Sequence, residues 1–244
     1  MIKKTLISRS PLRILEKTIH GGLGKGRIGV LAARKGVGKT ACLVHIATDK
    51  LFQGKPVIHV SYAVRVDYII DWYEDIFKEL SRTKGGETAE DVHDEIVRKR
   101  VIMNFKQDGV KTEQVLKSVE AVIVTGNFAA DTIIVDGYEF GRPEGPADML
   151  KFREFASRLG LEVWFSASLR GDEPLFDERG VPRELASYLP EMDVLITLTA
   201  EADNVRLNLV KDHEYPVAKG LHLHLDPKTL LIAEEKSAKS KARG

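Results

Sequence analysis

The stretch "VLAARKGVGKTACLVHIA", residues 30–47, decides how the chain is read. An apolar run ends in a glycine-bearing turn, and the helix-like segment "TACLVHIATDKLF" follows. From Ala33 to Thr40 the turn reads AxxxxGKT, a variant of the phosphate-loop pattern GxxxxGK[ST] with alanine first. Gly36 and Gly38 let backbone N–H groups turn toward a phosphate, Lys39 offers an ammonium to terminal phosphates, and the Thr40 hydroxyl can ligate magnesium. The candidate binding residues are thus Ala33, Arg34, Lys35, Gly36, Val37, Gly38, Lys39, Thr40 and Ala41. A glycine-rich turn that binds nothing is the plainer alternative, but a strand before and a helix after are the context the pattern requires.

Outward from the loop, short β-branched runs alternate with amphipathic segments. That alternation predicts an α/β fold with a mostly parallel sheet covered by helices. The expected strands are 27–33, 56–62, 101–105, 132–137, 161–167 and 193–199. Helical periodicity is clearest over 64–80, where Ile69, Trp72, Tyr73, Ile76, Phe77 and Leu80 recur at three- and four-residue spacing and read as core. Near the end, "NVRLNLV", "GLHLHLD" and "TLLIA" alternate apolar and polar residues around turns, which predicts antiparallel strands extending the sheet. His222 and His224 then fall on one strand face, without the further ligands a metal site needs; His59 and Trp164 read as core.

The strand "TIIVDG" ends in Asp136, a carboxylate costly to bury unpaired. It is expected at the end of a strand neighbouring the loop, where it would hold magnesium together with Thr40. An ordinary strand-end turn aspartate is the alternative.

Composition narrows the partners. A formal net charge of +1 supplies no global positive field for nucleic acid or an anionic membrane, although a local basic groove stays open. A single cysteine, Cys42, excludes an intrachain disulfide and fits a reducing cytoplasm. No run approaches the ~18 apolar residues of a membrane span, so a soluble protein is expected. The 244 residues suit one domain over 1–233, followed by a basic, disordered tail, 234–244, with Lys236, Lys239, Lys241 and Arg243. The polar stretch 81–95 reads as a helix rim or a partner surface.

Taken in order, "GGLGKGRIGVLAARKGVGKTA", "PVIHVSY", "TIIVDG", "LEVWFSASLR" and "MDVLITLTA" with "VRLNLVKDHEYPV" resemble the RecA-like core of DnaB-type replicative helicases and KaiC-like ATPases. The resemblance covers about residues 14–232. It implies a RecA-like fold, ATP and Mg2+ as ligands, and a nucleotide site shared between subunits of a homo-oligomer or hetero-oligomer. Three departures matter. Where the family places a water-polarising glutamate, this chain has Ala63, leaving Asp67 and Glu139 as substitutes. Ala167 stands where a sensor glutamine is expected, with only Ser166 and Ser168 nearby. In place of a Lys-x-Arg pair that reaches a neighbour's nucleotide, the chain has Lys211 and His213; an arginine in that role is worth about 10³ or more in rate. A polar hairpin turn is the simpler reading of "KDHE".

The candidate catalytic set is Lys39, Asp136, Glu139 and Asp67, with Lys211 and His213 on the nucleotide. The expected function is ATP binding with slow or partner-dependent hydrolysis, occupancy acting as an assembly or conformational switch. The alternatives are a DNA-associated ATPase or helicase accessory binding single strands, and a small-molecule phosphotransferase using Arg142 and Arg170.

Overall fold

A computed structural model describes residues 7–8, 10–62, 65, 67–82, 89–106, 109–171, 175–217 and 220–235. Helix α1 (Leu12–Thr18) precedes β1 (Arg27–Ala33), and α2 (Lys39–Phe52) follows it. Next come β2 (Val57–Ser61), α3 (Asp67–Arg82), α4 (Ala89–Arg98), β3 (Arg100–Asn104), α5 (Thr112–Val124), β4 (Thr132–Asp136), α6 (Gly145–Leu159) and β5 (Glu162–Ser168). A 3-10 helix (Arg183–Glu191) leads into β6 (Val194–Ala200), β7 (Val205–Asp212), β8 (Leu223–Leu225) and β9 (Ile232–Glu234).

The strands form one sheet in the order β3-β2-β4-β5-β1-β6-β7-β8-β9. Pairing is parallel from β3 to β6 and antiparallel from β6 to β9. The fold is therefore α/β, with a mostly parallel mixed sheet and an antiparallel extension. No helix of the described residues is long and apolar enough to cross a membrane.

Strand alternation sorts the core into two layers. In β1, Leu31 and Ala33 face one cluster with α1, α2 and α3, while Ile28, Val30 and Ala32 face a second with α5 and α6. A strand buried on both faces reads as a continuous apolar run, which is why β1 was visible. Each fully buried large aliphatic chain contributes about 1.5–3 kcal/mol. Trp164 enters the first cluster opposite Gly29, its partner in the β1–β5 register; a Cβ at Gly29 would lie 2.5 Å from the indole ring. On α3, Ile69, Tyr73 and Ile76 are buried, and Trp72, Phe77 and Leu80 pack beside them.

Two boundaries differ from expectation. His222 precedes β8 with φ of 52°, so it does not share a strand face with His224. Its left-handed backbone marks the turn into β8 rather than a β position. β9 extends through Glu234, and the Glu235 N–H donates to the His222 carbonyl, so strand pairing reaches the first two residues of the stretch read as tail. Lys236, Lys239, Lys241 and Arg243 lie outside the described residues. The later half of 81–95 belongs to α4.

Candidate functional site

The site lies where β1, β5 and β4 end. The chain leaves β1 at Ala33, turns through Gly36 and Gly38 with φ of 84° and 110°, and enters α2 at Lys39. Gly38 is the residue before the helix, and its left-handed backbone strains any other L-residue. A Cβ there would also collide with Leu225 of β8. The first backbone N–H groups of α2 have no intrahelical acceptor, and the helix dipole makes that end favourable to an anion.

Lys39 is largely buried. Its ammonium donates to the carbonyls of Ala33 at 3.1 Å and Arg34 at 3.0 Å, curling over the loop it belongs to. Burial lowers its proton affinity, and the Asp136 carboxylate works in the opposite direction. The Thr40 hydroxyl donates to Asp136 Oδ2 at 2.9 Å. Loop and carboxylate, 96 residues apart, are thus joined by one direct hydrogen bond.

Asp136 does not end the strand adjacent to the loop, as the sequence suggested. β5 lies between β4 and β1, and Ser166 of β5 bridges the gap. Its hydroxyl donates to Asp136 Oδ1 at 2.6 Å and accepts from the Gly137 N–H at 2.9 Å. Both carboxylate oxygens are therefore held by hydroxyls, which satisfies a carboxylate that is only 8% exposed. Ser166 was noted in the sequence as a nearby hydroxyl, but its role depends on strand order, which has no local signature. Ala167 points into the second core and offers no polar atom.

These donors suit magnesium. The Thr40 hydroxyl and one Asp136 oxygen are hard oxygen ligands, and Mg2+ is commonly held by one or two carboxylates plus substrate phosphates rather than by a full protein cage. Among the described residues no group of three or more His, Cys, Asp or Glu could hold an ion, so a magnesium here would complete its shell with water or with a ligand's oxygens.

The two carboxylates proposed to replace a base at Ala63 are each engaged by an arginine. Asp67, in the first turn of α3, is exposed and paired with Arg65, whose hydrogen bond holds its carboxyl below the usual range. Glu139 Oε1 accepts from Arg170 at 2.9 Å. Ala63 itself lies outside the described residues.

Lys211 and His213 lie at the other end of the sheet. Asp212 pairs with Val194 at the start of β6, and β6 runs parallel to β1 with Val194 beside Gly29. Both side chains are occupied within their own chain. Lys211 Nζ donates to the Leu189 carbonyl at 2.8 Å. His213 Nδ1 lies 2.8 Å from Asp212 Oδ1 and Nε2 lies 3.0 Å from the Leu23 carbonyl oxygen. Within one copy of the chain the structure does not bring the loop and this pair together.

No model of a known protein family matches the chain, and no curated protein matches its sequence.

Proposed function

We propose that the chain is a RecA-like ATP-binding protein that takes ATP with Mg2+ at the loop 33–41, and that hydrolysis by the isolated chain is slow or depends on a partner. The observation that carries this reading is the hydrogen bond from Thr40 to Asp136, which brings a phosphate-loop hydroxyl and a strand-end carboxylate to one point beside the Lys39 ammonium. The same bond helps to satisfy a buried carboxylate, and it supports the nucleotide reading because it falls at the end of the loop where Lys39 and the first N–H groups of α2 also converge.

Lys39 would bind the terminal phosphates, and the N–H groups of the loop and of the first turn of α2 would hold the phosphate chain. Thr40 and Asp136 would hold Mg2+, which neutralises charge on the phosphate oxygens when bound. Ser166 fixes the orientation of Asp136. The slow-hydrolysis half rests on Ala63 where a water-polarising glutamate would stand and on Asp67 and Glu139 each being paired with an arginine rather than left open to a water molecule. Occupancy then serves as a conformational or assembly signal, with Lys211 and His213 available to another copy's nucleotide once their internal contacts open.

The test is equilibrium binding of a fluorescent ATP analogue together with steady-state turnover over a range of protein concentrations, using Lys39→Ala as control. Binding lost in the variant, with turnover well below about 1 s⁻¹ at low protein concentration, is the expected result. Binding indifferent to Lys39 would overturn the site, and faster turnover by the isolated chain would overturn its regulatory reading.

A further inference from the structure

Arg170 occupies a position that the proposed nucleotide site leaves unassigned. It lies two residues beyond β5, and the residue between, Leu169, donates its N–H to the Ala33 carbonyl at 2.9 Å. The same oxygen accepts from Lys39 Nζ at 3.1 Å. The backbone leading to Arg170 is therefore fastened at the base of the phosphate loop, through an acceptor shared with the loop lysine. Its own N–H donates to Glu184 Oε2 at 3.1 Å, which anchors the residue on the other side.

The side chain is 64% exposed, and among the described residues it pairs with one carboxylate, Glu139, whose side chain is 31% exposed. Glu139 is carried three residues beyond Asp136, in a loop that the Tyr188 hydroxyl fastens by accepting from the Gly141 N–H at 2.9 Å. The guanidinium thus joins the segment after β5 to the segment after β4, and its backbone follows a residue that is bonded to the last residue of β1. An exposed pair of this kind is weak, so a better anion can displace the carboxylate. The terminal phosphate of a nucleoside triphosphate carries more charge than a carboxylate and presents several oxygens to a guanidinium fork.

We propose that Arg170 is the group that distinguishes a nucleoside triphosphate from a diphosphate, and that Glu139 competes with the terminal phosphate for it. The inference rests on the loop being a nucleotide site. With diphosphate bound, the Arg170–Glu139 pair stays closed. With triphosphate bound, Arg170 turns to the terminal phosphate and Glu139 is released toward the same crevice. The chain's nucleotide state is then written in the position of one ion pair.

The experiment is an equilibrium titration of the full chain with ADP and with the β,γ-imido analogue of ATP, both with Mg2+, for wild type, Lys39→Ala, Arg170→Ala and Glu139→Gln. Arg170→Ala is expected to cut the preference for the triphosphate by about two- to fivefold, the factor an exposed ion pair represents, with ADP affinity unchanged. Glu139→Gln is expected to raise that preference, because the competitor has lost its charge. Equal changes for both nucleotides in Arg170→Ala, or none, would overturn the assignment while leaving the nucleotide site standing. An unchanged preference in Glu139→Gln would overturn the competition. Absence of Lys39-dependent binding would overturn the nucleotide site itself and this inference with it.

Discussion

Ser166 illustrates how much of the site hangs on a single hydroxyl. It is 2% exposed, donates to Asp136 and accepts from the Gly137 N–H, so Ser166→Ala strips one hydrogen bond from a buried carboxylate and one from a backbone donor. The expected loss is about 1–3 kcal/mol in a denaturant titration. Outer partners of metal ligands typically govern metal affinity by about tenfold or more, so under the proposed function the Mg2+-dependent part of ATP binding should weaken far more than binding measured with a chelator present. At this scale the sequence was informative about Lys39, Thr40 and Asp136, because a spaced motif and a carboxylate ending an apolar run are both local signals. It named Ser166, Glu139 and Arg170 but not the bonds from Ser166 to Asp136 and from Arg170 to Glu139. Those contacts join residues 30 and 31 positions apart, and nothing in local periodicity records them.

Between elements, α2 is tied to the sheet by ion pairing as well as by apolar packing. Lys50 of α2 reaches Glu162 of β5 at 2.7 Å, with each side chain only 8% exposed. Lys50→Met leaves a buried carboxylate without its cation and should cost about 3 kcal/mol or more, whereas adding Glu162→Gln should recover part of the loss. Thermal or denaturant unfolding of the two variants checks this. The strands themselves were legible to within a residue or two at β1 through β6, since buried β-branched runs between turn residues have few other uses. Their order was not. β5 separates the strand of the loop from the strand of Asp136, and only the assembled sheet shows that the carboxylate crosses a whole strand to meet Thr40. α1 carried no clear advance signal either; its buried Leu12 and Leu15 are too few to establish a helical period.

For the molecule as a whole, two buried histidines set an acid limit on stability. His45 in α2 is driven down to about 4, first by burial, with Asp49 acting against it. His59 in β2 is lowered in the same way; Asp136 opposes the shift and Arg100 adds to it. In the unfolded chain each would take up a proton near pH 6.5. Between that value and about 4 the unfolded state binds more protons than the folded one, so stability falls as the pH drops through this window and is complete above it. Each histidine contributes a slope of up to about 1.4 kcal/mol per pH unit. Denaturant titrations at pH 7 and pH 5 should show the loss, and His45→Gln should reduce the slope.

That histidine also does something mechanical. His45 Nδ1 accepts from the Ile232 N–H at 2.9 Å, so the first residue of the outermost antiparallel strand hangs from the middle of the helix that begins at Lys39. A pull on the chain beyond Glu235 would load β9, which is held both by its pairing with β8 and by this bond to the helix behind the loop 33–41. Tension applied there would thus be shared between the edge of the sheet and the helix that begins at Lys39.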